Sequence, residues 1–267
     1  MEKENPILAL PAEPQMPAGR FGAALLRAVF PPRCAFCGKR GESTVCSACE
    51  RELRTLTPPP GEPTARLHSS WIPCALSVWR YEGTVRHALL LLKRYASRWR
   101  GTEFSRQLAA TAAAAQLPPP DVIIPVPNYK EKGLQGLKRQ PEENPVPLLL
   151  AERLAQQFSV PLDENQLIKY YPTPQQHRLS RARRRGNPVG AYRVLAPKRL
   201  QDKTVWLVDD IVTTGATMNE CARLLWLYGA KQVVGLSFCV TVSRPAACEQ
   251  DGTVQPEEDT GQTPHTL

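Results

Sequence analysis

The chain has 267 residues, 42% of them hydrophobic, which suffices for one large domain or for one domain and a small module. Its formal net charge of +9 calls for an anionic partner, and its longest apolar run, around Ala88 to Leu92, is far too short to span a bilayer. The opening Met1-Glu2-Lys3-Glu4-Asn5 lacks the basic start and apolar core of a secretory signal, so the expectation is a cytoplasmic protein without membrane insertion.

Residues 1 to about 18 are rich in Pro and Ala without periodicity, a composition that predicts disorder. A short amphipathic pattern from Arg20 to Phe30 stops at Pro31-Pro32. Next come Cys34, Cys37, Cys46 and Cys49, two C-x-x-C pairs joined by a short loop. In a chain without an export signal that spacing favours a tetrathiolate zinc site over disulfides or a redox pair. Four protein thiolates leave no open position for a substrate, so the zinc is expected to be structural. Gly38 follows the first pair, where a tight knuckle needs a permissive backbone. Cys74, Cys221, Cys239 and Cys248 are scattered and read as core or tail residues.

Beyond the Pro-rich linker after Leu56, strands alternate with helices. Strands are predicted at 74–81, 121–127, 166–170, 191–195, 204–208 and 231–242. Helices are predicted at 85–95, 103–116, 147–158 and 215–228. This alternation predicts an α/β fold with a doubly wound parallel sheet, preceded by the zinc module. The expected division is an extension at 1–32, the four-cysteine module at 33–55, a linker at 56–72, the sheet domain at 73–244 and a disordered tail at 245–267.

The most informative run is Val205-Trp206-Leu207-Val208-Asp209-Asp210-Ile211-Val212-Thr213-Thr214-Gly215-Ala216-Thr217. It reads as an apolar strand, two carboxylates, a Thr/Gly loop and the start of a helix. Backbone N–H groups and the dipole at a helix start favour an anion, and Gly215 permits close approach of a phosphate. Thr213, Thr214 and Thr217 add hydroxyl donors. Asp209 and Asp210 are suited to the vicinal hydroxyls of a sugar or the waters of a magnesium ion. The run lacks both Gly-x-Gly-x-x-Gly and Gly-Lys-Thr/Ser, which excludes a dinucleotide fingerprint and a P-loop.

This run resembles the phosphoribosyl-pyrophosphate (PRPP) motif of type I phosphoribosyltransferases. The order of parts narrows the resemblance to the ComF/GntX family, over about 33–242: the cysteine module, Tyr81-Glu82-Gly83, Leu92-Lys93-Arg94-Tyr95, Ile124-Pro125-Val126-Pro127, a basic loop and the PRPP motif. That loop carries Gln176, Leu179, Arg181, Arg184 and Asn187, and closes with Gly190-Ala191-Tyr192.

The resemblance implies a type I phosphoribosyltransferase fold and a set of roles. Asp209 and Asp210 would serve as the catalytic acids and meet the ribose hydroxyls. Thr213, Thr214, Gly215, Ala216 and Thr217 would bind the 5′-phosphate. Pro127 and Asn128, with Arg181 and Arg184, would lie at the pyrophosphate, where Lys130 or Lys132 could help. Thr213 stands where 6-oxopurine enzymes carry an aspartate, which leans against a hypoxanthine or guanine acceptor. The family's Arg-Gly before the 148–154 helix is replaced here by Lys138-Arg139-Gln140-Pro141-Glu142-Glu143-Asn144-Pro145.

Two functions follow as expectations. One is transfer of phosphoribose from magnesium-bound PRPP to an unknown acceptor. The other is a non-catalytic, PRPP-responsive protein of natural competence, bound to single-stranded DNA or to another competence or recombination protein. The arginines at 178–185 fit an anion-binding loop better than plain surface, and His177 stands isolated.

Overall fold

The computed structural model describes residues 31–41, 43–58, 69, 71–95, 97–127, 146–169 and 189–241. Residues 1–30 of the extension, most of the linker, Asn128, Lys130, Lys132, the 138–145 segment, His177, the arginines of 178–185, Asn187 and the tail lie outside these residues.

Four strands make a parallel sheet: β1 (Cys74–Arg80), β2 (Val122–Pro125), β5 (Thr204–Val212) and β6 (Gln232–Val240), in the order β1-β6-β5-β2. The runs that form β5 and β6 are almost continuously apolar because helices cover both sheet faces. Helices α2 (Gly83–Tyr95), α3 (Arg98–Ala114) and α4 (Val146–Phe158) pack on one face. Helix α5 (Ala216–Leu227) packs on the other. The expected doubly wound parallel sheet is therefore present. A separate antiparallel pair, β3 (Leu167–Lys169) and β4 (Tyr192–Val194), lies against α5 and pairs Lys169 with Tyr192.

Helix α1 (Ser47–Leu56) belongs to the cysteine module, which shares the main core. Phe36 is fully buried, with its ring centroid 5.3 Å from that of Phe104 and 6.4 Å from that of Trp79. Phe104 stacks in turn on Phe238 of β6 at 4.0 Å. Polar contacts fix the same seam. The buried Arg100 donates from Nε to the Ala35 carbonyl at 2.9 Å. Glu103, also buried, accepts from Thr44, Arg106 and Gln107.

Two boundaries differ from the sequence expectation by more than two residues, for physical reasons. Helix α3 begins at Arg98 rather than near 103, since its first turn is anchored to the module through polar side chains that carry no apolar pattern. Strand β5 continues past the two aspartates, because Ile211 and Val212 pair with Cys239 and Val240 of β6.

Candidate functional site

The turn after β5 is short and tightly held. The Thr241 N–H donates to the Val212 carbonyl at 2.9 Å, and the Thr241 hydroxyl donates to the Thr213 carbonyl at 3.2 Å. The Ala216 N–H reaches the Thr214 hydroxyl at 3.4 Å. Gly215 caps α5 with φ +77, a left-handed conformation that costs any Cβ-bearing residue energy. The cap residue Gly215 has no side chain to offer and the first turn holds no acidic residue, so this helix start favours an anion. Ala216 and Thr217 begin the helix, with Thr217 beside the phenol of Tyr192.

The two aspartates serve opposite sides of the sheet, as consecutive strand residues must. Asp210 is buried at 3% exposure and pairs with Lys93 at the end of α2, Oδ2 to Nζ 2.8 Å. Burial acts to lower the Lys93 ammonium, but the charge and hydrogen bond of Asp210, with the nearby Asp209 charge, together outweigh it and the net shift is upward. Asp209 looks the other way, toward Lys169 and Tyr192 on the β3–β4 pair. Burial and the neighbouring Asp210 push its carboxyl up to about 7, against the Asp210 N–H donating to Oδ1 at 2.8 Å. Burial lowers the Lys169 ammonium, opposed by Cys221 and Asp209. The Lys169 ammonium sits 5.7 Å from the centre of the Tyr192 ring, and burial raises that phenol.

The β2 end comes to the same place. The Val126 N–H donates to the Val208 carbonyl at 2.8 Å, which brings Val126 and Pro127 to the end of β5 where the aspartates stand. Thus Asp209, Asp210, Thr213, Thr214, Gly215, Ala216, Thr217 and Pro127 converge at the carboxyl ends of two adjacent strands, where ligands bind in open α/β sheets. Asn128, Arg181 and Arg184 lie outside the described residues. Tethering α5 to the segment before β4, the buried Glu220 accepts from the Gly190 N–H at 3.1 Å and from Arg223 at 2.8 Å. Sequence reasoning assigned no role to Lys93 or Lys169. The only available signal was Lys93 within Leu92-Lys93-Arg94-Tyr95.

The cysteines form a second centre. The Sγ atoms of Cys34, Cys37, Cys46 and Cys49 all lie within 4.8 Å of one another, a donor set and spacing that fit a tetrahedral zinc. The first knuckle closes through the Gly38 N–H to the Cys34 carbonyl at 2.8 Å, and Gly38 takes φ +76 as its position predicts. In the second, Cys46 caps α1 and Cys49 sits in its first turn. Burial acts to raise the Cys34 thiol, but backbone N–H groups of Cys37, Cys46 and Phe36 outweigh it and bring it down to about 7, toward the thiolate a metal needs.

A parallel sheet with a Thr/Gly turn after an acidic pair, joined to a four-cysteine ribbon, defines a phosphoribosyltransferase-type protein with a structural zinc site. The phosphoribosyl transferase domain model matches residues 148–253, and the double zinc ribbon domain model matches residues 25–64. The chain is 30% identical over 223 residues to the DNA utilization protein YhgH of Escherichia coli O157:H7, covering 77% of this chain and 92% of that protein. It is 32% identical over 119 residues to Competence protein F of Haemophilus influenzae, covering 44% of this chain and 49% of that protein. It belongs to the ComF/YhgH family of phosphoribosyltransferase-domain proteins. Among solved structures, a purine phosphoribosyltransferase from Pyrococcus horikoshii Ot3 is 19% identical, covers 55% of this chain and 80% of that chain, and has a TM-score of 0.33, too low to carry an argument. No described helix is long and apolar enough to cross a membrane.

Proposed function

We propose that the β5–α5 turn binds PRPP together with magnesium, and that phosphoribose is transferred from it to an acceptor whose identity is open. The observation that carries this reading is the uncapped start of α5 behind a left-handed Gly215, directly downstream of two carboxylates. The N–H groups of this turn and the hydroxyls of Thr213, Thr214 and Thr217 receive the 5′-phosphate. Asp209 accepts from a ribose hydroxyl, and its carboxyl is set by Lys169 on one side and Asp210 on the other. The Asp209 carboxylate also suits the waters of a magnesium ion, whereas Asp210, on the opposite side of the strand, is tied to Lys93. Bound magnesium supplies charge neutralisation of the pyrophosphate. Pro127 stiffens the loop that leaves β2 beside the reacting carbon, and Asn128, Arg181 and Arg184 complete the pyrophosphate side. Catalysis then rests on positioning and on stabilising the leaving pyrophosphate.

Calorimetric titration of PRPP with magnesium tests the site. The double variant Asp209→Asn, Asp210→Asn loses charge-assisted bonds of about 1.5–3 kcal/mol each, so affinity falls at least about tenfold. Unchanged affinity rejects the assignment. Release of pyrophosphate with a panel of bases then decides whether binding leads to turnover.

A second reading is supported by the names of the relatives, which speak of DNA utilization and competence. In it the chain holds single-stranded DNA and PRPP acts as a ligand. Salt-dependent binding of single strands without pyrophosphate release separates it from the first.

A further inference from the structure

The segment from Gly83 to Thr102 contains no Asp or Glu, yet carries Arg86, Lys93, Arg94, Arg98 and Arg100. Two of these cations have assigned partners: Lys93 is held by Asp210 and Arg100 by the Ala35 carbonyl. Arg86, Arg94 and Arg98 are exposed, and no carboxylate among the described residues pairs with them. The same stretch exposes two aromatic rings, Tyr95 at 61% and Trp99 at 39%. Each stands against a guanidinium: Arg94 lies 5.6 Å from the Tyr95 centroid, and Arg100 lies 4.4 Å from that of Trp99. Arg100 is itself anchored in the seam with the zinc module, so it holds the Trp99 ring in place from one side.

Exposed rings steadied by cations, among arginines that form no ion pair with a described carboxylate, make an electropositive stacking platform. A protein partner burying Tyr95 and Trp99 would also have to desolvate or neutralise three arginines. A nucleic acid single strand supplies both the planar bases and the negative charge. We propose that the end of α2 and the start of α3 form a binding surface for single-stranded nucleic acid, with bases stacking on Tyr95 and Trp99 and phosphates meeting Arg86, Arg94 and Arg98. The surface adjoins the proposed PRPP site through Lys93, the last-turn residue of α2 that pairs with Asp210. The inference rests on the DNA-binding reading above and locates it on named residues.

Fluorescence anisotropy of the full chain with a labelled oligothymidylate of about 20 nucleotides tests it. The Tyr95→Ala, Trp99→Ala variant is expected to lose at least about tenfold in affinity, and Tyr95→Phe, Trp99→Phe to retain most of it. Arg94→Gln with Arg98→Gln is expected to shrink the salt slope by about 0.7 per lost phosphate contact. Zinc content, melting temperature and PRPP affinity should stay at the parent values in all three variants, which separates a lost surface from lost folding. A parent chain that binds no oligothymidylate overturns both this surface and the DNA-binding reading. A parent chain that binds, with an Ala variant that binds equally well at an unchanged salt slope, overturns the surface alone and moves the DNA contact elsewhere on the chain.

Discussion

Lys93 Nζ lies 2.8 Å from Asp210 Oδ2, and this pair ties the end of α2 to the strand that carries the candidate site. Asp210 is almost wholly enclosed, so removing that partner takes away a counter-charge where water cannot replace it. Replacing Lys93 by Met leaves a buried carboxylate without its ammonium. The expected loss is about 1–3 kcal/mol, at the moderate end because the lysine side chain keeps 30% of its exposure. Combining Lys93→Met with Asp210→Asn should return part of that loss, since an amide carries no charge to strand. Urea unfolding of the parent, both single variants and the double variant measures the coupling, and additive effects would show that the pair contributes nothing.

Asp209 gives the folded state a distinctive pH dependence. Burial, then Asp210, raises its carboxyl to about 7, whereas an unfolded aspartate titrates near about 3.9. Between those values the folded chain holds a proton that the unfolded chain has released. This residue therefore lowers stability progressively as pH rises from about 4 to about 7, with no effect below that window and a constant one above it. Asp209→Asn removes the titration. Its melting temperature relative to the parent should climb through the window and level off on both sides. A difference independent of pH would mean that Asp209 is an ordinary solvated carboxylate.

The position of both clusters was legible because each lies in one short stretch of sequence. The C-x-x-C spacing and the run from Val205 to Thr217 are local patterns, and the strand–turn–helix they imply is what forms. The companions of the site were hidden because they come from far away. Lys93 arrives from α2, and Lys169 and Tyr192 arrive from the β3–β4 pair, so only topology brings them to Asp210 and Asp209. The length of β5 was underestimated for a related reason. Two charges interrupt its apolar run, but Lys93 compensates Asp210, and pairing with β6 carries the strand to Val212. Arg100 and Glu103 disguised the start of α3 because their burial depends on the module docked against them.

Gly215 offers a test that separates backbone shape from side-chain bulk. Its φ of +77 lies in the left-handed region, so Gly215→Ala is expected to cost about 1–2 kcal/mol. Asn tolerates that region better than Ala, so Gly215→Asn should cost less stability. Both replacements add a Cβ at the turn to which the phosphate is assigned in the proposal above. If the turn is the phosphate cradle, both weaken PRPP binding although their stabilities differ. Affinities that follow stability alone, with Asn near the parent value, would mean that Gly215 serves the turn and not the ligand.

Removing the metal should disturb more than the cysteine module. Cys34 and Cys37 bracket Ala35 and Phe36, and Phe36 is the module residue that enters the aromatic stack with Trp79, Phe104 and Phe238. A bound zinc would tie this knuckle to the second cysteine pair, and the knuckle aims Phe36 inward and presents the Ala35 carbonyl to Arg100. Protein purified without added metal should contain one zinc per chain, and the Cys34→Ser, Cys37→Ser variant none. Loosening a buried Phe approaches the loss of its packing, about 3–5 kcal/mol for a full truncation, so the variant should melt well below the parent throughout the sheet domain. Near-ultraviolet circular dichroism reports the Phe–Trp stack directly. A variant that loses its zinc but keeps both that signal and its melting temperature would show that the module folds without metal. Zinc retained by the variant would reject these four thiols as the ligand set.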